Sequence, residues 1–457
     1  LQEVTAQSLS YGYAKVKCWD ANGNLKEFVN HQVSVQRKMD SEKRVYYMLR
    51  LPEAVTVKKI QFGLSRSLAS GSITCSEVYF YHYDSLEDDI MARYVNDLHT
   101  ELKSGVTQAT IDALRTRINT KDPDSGEYHP DREKLERELK TAEDILNAKL
   151  SRSVYIHNSI TTKDANRGFG GLNAWQPLGV TAAAGEEITV YVGHNTKKTG
   201  ESTNLQLIAT QYHAESGSMF KQAANLKIGR NDVTIPQLST VQGEAGGALY
   251  VQYTGSSASD QYAVRVSGGA EVPFLDLYQV TDAAERQKRA QTYVEELQAY
   301  VEGMEAQHEK LHKGSKLASV DCNYEESECI LGASDMMLDT MMLSLPASQI
   351  LKGSGGNAER ILTSAEAMEN MMHLFYQHKG LTKNTQKADG TAVDVKDTYP
   401  SRHLNIRYQR MFAGAFMYAA GNHIGIEWGS APGMVSGNSL SADPEGRYQS
   451  GNYFGWG

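Results

Sequence analysis

One short run of the chain has the residue types and spacing of a zinc-hydrolase helix. His308, Glu309 and His312 form an H-E-x-x-H pattern. Two histidines at positions i and i+4 share one helix face and can bind one Zn²⁺, while the glutamate is placed to activate a water molecule. Three glutamates follow as candidates for a third ligand: Glu325, Glu326 and Glu328. Taken alone, the run indicates metal-assisted hydrolysis.

The surroundings of this run weaken that interpretation. Lys310 stands between the two histidines and Lys313 follows directly, whereas a zinc-binding helix packed against a sheet normally has uncharged central positions. Gly314 predicts that the helix ends at once, which leaves little length to support the ligands. We therefore interpret the match as a coincidence, with His308 in a packing stripe. A real metal site at this run is kept as an alternative hypothesis.

Length and composition predict a multidomain globular protein. A chain of 457 residues is long enough for roughly three domains, and 40% hydrophobic with 22% charged residues is an ordinary globular composition. The net charge of −9 disfavours nucleic-acid binding, which needs a clustered basic surface. The sequence has no run of about eighteen apolar residues, so we expect no membrane span. The four cysteines have the spacing of neither a disulfide scaffold nor a four-cysteine zinc site: Cys18, Cys75, Cys322 and Cys329.

The first part of the chain, residues 1–84, predicts strands. Apolar and polar residues alternate in short segments that are separated by turn signals. The segment TVKKIQFGL and, after a turn, EVYFYHYD resemble the last strands of a discoidin-like (galactose-binding-like) β-sandwich. The resemblance implies that the C-terminal part of such a domain is present, with either a sugar-binding or a spacer role.

Residues 85–150 predict a helical hairpin linker. The segment is rich in Glu, Lys, Leu and Ala, and its apolar residues recur at helical spacing. Pro123, Gly126 and Pro130 interrupt the pattern, so two helices joined by a loop are expected. The apolar stripe of the second helix is Leu135, Leu139, Ala142, Ile145, Leu146 and Leu150.

The next two segments predict a second β-sandwich followed by a long helix. Residues 151–281 return to strand patterns divided by Gly, Ser and Asn turns. A connecting helix is expected over residues 282–316, because Val294, Leu297 and Val301 fall on one stripe.

The last segment, residues 317–457, predicts an α+β domain. Helical and strand-like patterns alternate, and the many methionines are interpreted as adaptable core filling. Apolar residues at helical spacing predict a helix over residues 407–420, ended by Gly421 as a C-terminal cap. The segment from His423 to Trp428 then reads as a strand.

The C-terminal sixty or so residues carry a resemblance to a known peptidase family. RHLNIRYQRMFAGAFMYAAGNHIGIEWGS, a Gly/Ser-rich stretch and then GNYFGWG resemble the enhancin-like, mucin-degrading zinc metallopeptidases, or metallopeptidase family sixty. In that family a segment like YAAGNHIGIEWG precedes one like GWG, and the zinc motif H-E-x-G-H follows shortly after. The looser similarity covers residues 150–457, including LNAWQPLGVTAAAGEEITVYVG in the second sandwich and CILGASDMMLDTMMLSLPASQIL in the last domain.

The resemblance implies an enzymatic activity for the complete protein, and it implies that the catalytic motif for this activity lies outside the given chain. It implies a secreted or cell-surface bacterial zinc endopeptidase that cleaves O-glycosylated, mucin-like glycoproteins, with residues 317–457 as the N-terminal part of a zincin-like catalytic domain. The zinc motif is expected just after Gly457, so no catalytic residue, no zinc and no hydrolysis are expected within this chain. Zinc is expected as the cofactor of the complete protein. The alternative is a carbohydrate- or mucin-binding protein without catalysis.

The resemblance also implies a substrate-binding strand. Peptidases of this type lay the substrate along an edge strand roughly thirty residues before the zinc helix, because strand pairing holds an extended peptide of any sequence. Residues 424–428 stand at about that distance, so we predict that they form the edge; the alternative is a central core strand. Aromatic faces near this segment are candidates for stacking on sugars. The candidate substrate-binding residues are Asn422, His423, Ile424, Gly425, Ile426, Glu427, Trp428, Tyr453 and Trp456.

Overall fold

The computed structural model describes residues 11–28, 34–39, 45–51, 55–66, 80, 84–123, 125–149, 152–164, 170–212, 218–238, 246–312, 332–409 and 417–437. The chain forms two compact units, Leu1–Ser151 with Gly185–Glu187, and Arg152–Ala184 with Ile188–Gly457. None of the helices in these described ranges combines the length and the apolarity that a membrane crossing requires.

The first unit begins with five antiparallel strands, as the alternating pattern predicts. They are β1 (Tyr11–Trp19), β2 (Leu25–Phe28), β3 (Ser34–Met39), β4 (Val45–Arg50) and β5 (Lys59–Arg66). Strand β1 lies between β2 and β5, and β3 pairs with β4. Val16 and Cys18 alternate inward and pack with Phe28, while Lys15 on the other face of β1 binds Glu27 at 2.6 Å. Cys18 is a buried free thiol; the other three cysteines lie outside the described residues.

Three helices follow in the first unit, where a two-helix hairpin was expected. They are α1 (Leu86–Met91), α2 (Gln108–Ile118) and α3 (Arg132–Leu146). The expected first helix stops after Met91, and the chain takes left-handed backbone conformations further on, at His99 and Gly105, before α2 begins. A capping box between Thr107 and Thr110 then starts α2 anew. The predicted stripe on α3 is confirmed at Leu135, Leu139 and Ala142, which are buried against α1 and α2: Leu86, Ile90, Ile111, Leu114 and Ile118.

The second unit opens with a β-sandwich, as predicted. Its strands are β6 (Val154–Ile156), β8 (Trp175–Ala182), β9 (Glu187–His194), β10 (Ser202–Thr210), β11 (Phe220–Lys227), β12 (Gly229–Thr234), β13 (Gly247–Tyr253), β14 (Tyr262–Ser267) and β15 (Ala270–Glu271). One sheet has the order β11-β10-β13-β8-β15 and the other β12-β9-β14-β6. Inward residues of both sheets form a single apolar core, with Val190 and Val192 from one sheet and Leu207 and Val251 from the other.

The rest of the second unit is a mixed sheet covered by helices. Its strands are β7 (Leu172–Asn173), β16 (Phe274–Asp276), β17 (Ala333–Met337), β18 (Met341–Pro346), β19 (His403–Tyr408), β20 (Met417–Ala419) and β21 (Ile424–Ile426). Its helices are α4 (Ala283–His312), α5 (Ala347–Ser354) and α6 (Ala358–His378), with 3₁₀ segments at Val395–Asp397 and Trp428–Val435. The predicted stripe on α4 is confirmed, since Val294, Leu297 and Val301 join the core under the sheet.

Strand order in this sheet overturns two expectations about residues 403–428. The order is β16-β17-β18-β19-β21-β20, with β7 also paired to β19. Residues 424–426 therefore do not form the edge, because β21 is bonded to β19 on one side and to β20 on the other. The helix predicted over 407–420 is also wrong in its described parts, which belong to β19 and β20. Gly421 lies in the turn between β20 and β21 and does not cap a helix.

Candidate functional site

Strand β19 has two buried faces of opposite character. Its sequence alternates strictly, so successive side chains point to opposite sides of the sheet. Leu404 and Ile406 pack into the apolar core with the helices. The other face is polar, and its residues are at most 1% exposed: His403, Asn405, Arg407 and Gln409. A polar face this deeply buried is unusual in a central strand, because parallel strands are normally apolar on both sides.

The polar face continues sideways across the sheet. Asp335 on β17 pairs with Ser344 on β18, and Ser344 pairs with Arg407 on β19. Arg407 pairs with Gly425 on β21, and Gly425 pairs with Tyr418 on β20. Directly opposite residues project to the same face. These five residues therefore form one line from the middle of the sheet to its outermost described strand, which we call the polar row.

The β-sandwich supplies a hydroxyl to the inner end of the polar row. The Tyr250 hydroxyl donates to Asp335 Oδ1 at 2.9 Å and lies 3.0 Å from Ser344 Oγ. The Tyr250 ring stacks on Trp175, with centroids 5.3 Å apart. Burial raises the pKa of Asp335 to about 6, although the bonds from Ser344 and Tyr250 and the charge of Arg407 oppose this shift.

Arg407 is the buried charge at the centre of the polar row. Its side chain is 1% exposed, and Cζ lies 5.6 Å from the centroid of the Trp175 ring. None of its three side-chain nitrogens hydrogen-bonds to another described residue. Buried groups of this kind are normally satisfied by ordered water or an ion partner, because leaving them bare is costly. The positive charge of Arg407 helps to hold down the pKa of Asp335 and of His423.

The outer end of the polar row is a tight hairpin formed by β20 and β21. The Ala420 amide donates to the His423 carbonyl at 2.9 Å, which closes the turn. His423 is 1% exposed, and burial, with help from Arg407, lowers its pKa to about 4. The imidazole is therefore neutral at physiological pH. Its Nε2 lies 2.8 Å from the Tyr418 hydroxyl, and its Nδ1 lies 2.8 Å from Asn422 Oδ1.

Of the six predicted substrate-binding residues whose side chains the structure describes, four lie away from solvent. His423, Ile424, Gly425 and Ile426 are buried, and Asn422 and Glu427 are half-buried. The Trp428 side chain, Tyr453 and Trp456 lie outside the described residues. The buried residues of this set can position a neighbouring strand, but they do not present a surface for stacking on sugars.

Sequence reasoning missed the strand that is outermost on this side of the sheet among the described strands. Met417 is 53% exposed and Ala419 is exposed, while Tyr418 between them turns inward. The signal was present in the alternation of HLNIRYQ and in the short MYA segment before the Gly421 turn. The apolar residues between these two segments recur at helical spacing, and that pattern predicts a helix instead of a strand.

The H-E-x-x-H run lies on a helix, as predicted, since α4 extends to His312. The side chains of His308, Glu309 and His312 fall outside the described residues, as do Glu325, Glu326 and Glu328. Among the described residues there is no group of three or more His, Cys, Asp or Glu side chains that could hold a metal ion. The described residues therefore do not fit a catalytic zinc, and no chemical step is assigned through one.

Comparison with known proteins identifies solved structures with a similar fold. No family model and no curated protein matches the chain. The solved structure of the CBM32-1, CBM32-2 and M60 catalytic domains of ZmpB from Clostridium perfringens is 19% identical, with a TM-score of 0.50 over 93% of this chain and 41% of that chain. This likeness supports an M60-like fold.

Two further solved structures are more distant in shape. The M60 catalytic domain of Clostridium perfringens ZmpC, in complex with the sialyl T antigen, is 22% identical, with a TM-score of 0.43 over 62% of this chain and 49% of that chain. A metallopeptidase from Bacteroides thetaiotaomicron is 15% identical, with a TM-score of 0.42 over 80% of this chain and 49% of that chain. The chain spans less than half the length of each of these three structures.

Proposed function

We propose that this chain is part of a secreted or cell-surface zinc endopeptidase that cleaves O-glycosylated, mucin-like glycoproteins. The fold likeness to the ZmpB structure supports the peptidase class. The glycoprotein substrate and zinc rest on the resemblance of residues 402–430 and 451–457 to mucin-degrading peptidases. Residues 317–457 are proposed as the first part of the catalytic domain, and the zinc ligands are proposed to follow Gly457.

The observation that carries this proposal is the position and direction of β20. It is the outermost described strand on its side of a mixed sheet, and it runs antiparallel to β21. An extended peptide can add to such an edge through main-chain hydrogen bonds, which hold any sequence in an extended conformation. The edge strand predicted at residues 424–428 is therefore replaced by Met417–Ala419.

In this proposal, the given chain binds the peptide, and the segment that follows it carries out the hydrolysis. Strand β20 would hold the peptide main chain, and the sheet behind it would fix the peptide relative to the zinc helix. Catalysis by a metal-bound water needs protein ligands and an open coordination position. Both are proposed to lie beyond Gly457, and the chain by itself is proposed to bind a mucin peptide without cutting it.

The test compares this chain with one extended through the segment that its gene encodes after Gly457. Both are incubated with an O-glycosylated mucin peptide, with and without a zinc chelator. Chelator-sensitive cleavage by the extended chain, and none by the shorter chain, supports the proposal. An extended chain that carries no H-E-x-x-H motif, or that carries one and leaves the peptide intact, contradicts it.

A second candidate is a carbohydrate-binding protein without catalysis. It is favoured by the β-sandwich of the second unit and by the likeness to a ZmpB structure that includes CBM32 domains. Binding of mucin glycans without cleavage by the extended chain would select it. The remaining hypothesis, a metal site at His308, Glu309 and His312, requires stoichiometric zinc in this chain that is lost on His308→Ala.

A further inference from the structure

We propose that Tyr418 positions the edge strand β20 for peptide binding, and that the β-sandwich holds Tyr418 in place. This inference rests on the proposed function, in which β20 receives the peptide. It adds that the sandwich is a working part of the peptide site, acting through the outer end of the polar row. Tyr418, His423 and Gly425 are positioning residues, because the role proposed for them is to hold β20 in place and not to contact the peptide with their side chains.

The first support is the space over Gly425. A Cβ atom at this residue would lie 2.0 Å from Cε1 and 2.4 Å from Cζ of Tyr418. Real Cβ atoms do not approach other atoms this closely, so any other residue at position 425 would displace the ring. The Tyr418 ring therefore occupies the space over Gly425, its partner across the β20–β21 pair. Glycine is required here for space, and an aromatic ring covers it.

The second support is the hydrogen bonding of the Tyr418 hydroxyl. Asn422 Oδ1 can only accept, so His423 donates to it from Nδ1 and leaves Nε2 to accept from Tyr418. The lowered pKa of His423 keeps this neutral form in place. A protonated imidazole would have no lone pair for the tyrosine. The neutral histidine therefore ties the middle residue of β20 to the turn that follows it.

The third support comes from one contact with the β-sandwich and one with β7 of the mixed sheet. Met219, just before β11, places its Sδ 2.7 Å from the Tyr418 hydroxyl, whose single proton is shared between this sulfur and His423 Nε2. Asn173 on β7 donates to the carbonyl of Asn422 at 3.0 Å and accepts from the Trp175 amide at 3.0 Å. The hairpin of β20 and β21 is thus held at its strand by Met219 of the sandwich and at its turn by Asn173 on β7 of the mixed sheet.

These contacts matter because β20 is short. It has three residues and pairs with β21 alone among the described strands. Short edge strands open locally at low cost, and ordering them on binding reduces affinity. The contacts of Tyr418 order β20 before a peptide binds. The outward main-chain groups of β20 are then already placed to pair with the peptide.

The test is hydrogen exchange of the β20 amides combined with affinity for an O-glycosylated mucin peptide. Gly425→Ala removes the space for the ring, and Tyr418→Phe removes only the hydroxyl. We expect each to speed exchange in Met417–Ala419, and Gly425→Ala to weaken peptide binding about tenfold or more. In a Tyr418→Ala background, Gly425→Ala should add little, because the clash has gone.

The matched control is Tyr293→Phe. Its buried hydroxyl lies 2.8 Å from Ser334 Oγ under the same sheet but far along the strand order from β20. This change should lower overall stability without changing exchange in β20 relative to β13. Exchange in β13 also shows whether each variant is folded.

The outcomes separate this inference from the proposed function. Peptide binding by the native chain, with unchanged β20 exchange and affinity in both Tyr418→Phe and Gly425→Ala, overturns the positioning role and leaves the proposed function standing. Faster β20 exchange in the variants, without peptide binding by the native chain, supports the anchoring of β20 and contradicts the proposed function.

Discussion

Two neighbouring lines of residues cross the same five strands of the mixed sheet. The polar row runs through Asp335, Ser344, Arg407, Gly425 and Tyr418. One residue away along each strand, on the opposite face, runs an apolar row: Met336, Leu343, Ile406, Ile424 and Ala419. The apolar row packs on the helices except at its outer end, where Ala419 is exposed, whereas the polar row meets the β-sandwich.

The comparison shows that the two faces of one sheet can have different roles. The apolar row stabilises the fold, and the polar row positions particular atoms. Burial of the apolar row stabilises the fold in proportion to the area removed from water and specifies little else. The polar row gains less net free energy from burial, but its hydrogen bonds have direction and fix particular atoms relative to one another. The edge strand β20 carries one residue of each row, Ala419 and Tyr418.

The largest expected effect is a cavity in the apolar row. Leu343 is fully buried, so Leu343→Ala should lower the free energy of unfolding by about 2–5 kcal/mol. The measurement is urea unfolding followed by circular dichroism. Leu374, on the outer side of α6 and 41% exposed, provides the control, and Leu374→Ala should change stability by less than about 0.5 kcal/mol. Equal losses of unfolding free energy in Leu343→Ala and Leu374→Ala would contradict the assignment of Leu343 to the core and of Leu374 to the surface.

The next effect is a pH dependence that comes from the polar row. Burial raises the pKa of Asp335 to about 6, above the value of about 3.9 in an unfolded chain. The folded state therefore holds this proton more tightly, so the contribution is complete below pH 4 and is lost as the pH rises through 6. Asp335→Asn should remove about 2–3 kcal/mol of this decline between pH 4 and pH 7.

Urea unfolding at several pH values checks this expectation. The exposed Asp389 has a pKa that is lowered mainly by its bonds with Thr391, so Asp389→Asn should leave the slope above pH 4 unchanged. Stability curves of Asp335→Asn and the native chain that stay parallel from pH 4 to pH 7 would show that the carboxyl does not titrate in this range.

A smaller effect is expected where the sandwich meets the polar row. Tyr250→Phe removes the hydroxyl that contacts Asp335 and Ser344 and leaves the buried ring in place. The loss should be about 1–2 kcal/mol in unfolding free energy, because Asp335 loses a hydrogen-bond donor. The pKa of Asp335 should rise further, which is measurable by the pH series above. An unchanged stability together with an unchanged pH profile would mean that the sandwich does not act on the polar row.

The smallest effect concerns the charge of Arg407. This charge lowers the pKa of both Asp335 and His423, so Arg407→Met should raise both pKa values. Nuclear magnetic resonance titration of the His423 ring measures one of them directly. His194 lies near Asp260 in the sandwich and serves as the internal reference. A His423 titration that does not move would place the guanidinium too far away to act on it.

Much of the second unit was predictable because its signals are local. The sandwich strands alternate with turn residues, and the stripe of Val294, Leu297 and Val301 lies within one helix. The buried methionines confirm the prediction of core filling at Met336, Met341, Met342, Met368 and Met372. In each case, neighbours in sequence carry the information.

The candidate site was less predictable because its contacts are distant in sequence. The alternation in HLNIRYQ predicts a strand, but nothing local shows that its polar side is buried against Tyr250 and Trp175. Gly421 follows an apolar stretch, so local spacing predicts a helix end where the structure has a hairpin turn. This error moved the predicted edge by one strand, from Met417–Ala419 to residues 424–428. The identity of the edge depends on pairing between β19 and β21, which local patterns do not encode.

The most direct test of this account is hydrogen exchange of the chain with and without an O-glycosylated mucin peptide at millimolar concentration. The account predicts protection of the main-chain amides of Met417–Ala419, with little change in β13 of the sandwich. A bound peptide that protects other segments and leaves β20 unchanged, or no protection at all, would contradict the claim that β20 is the peptide-holding edge.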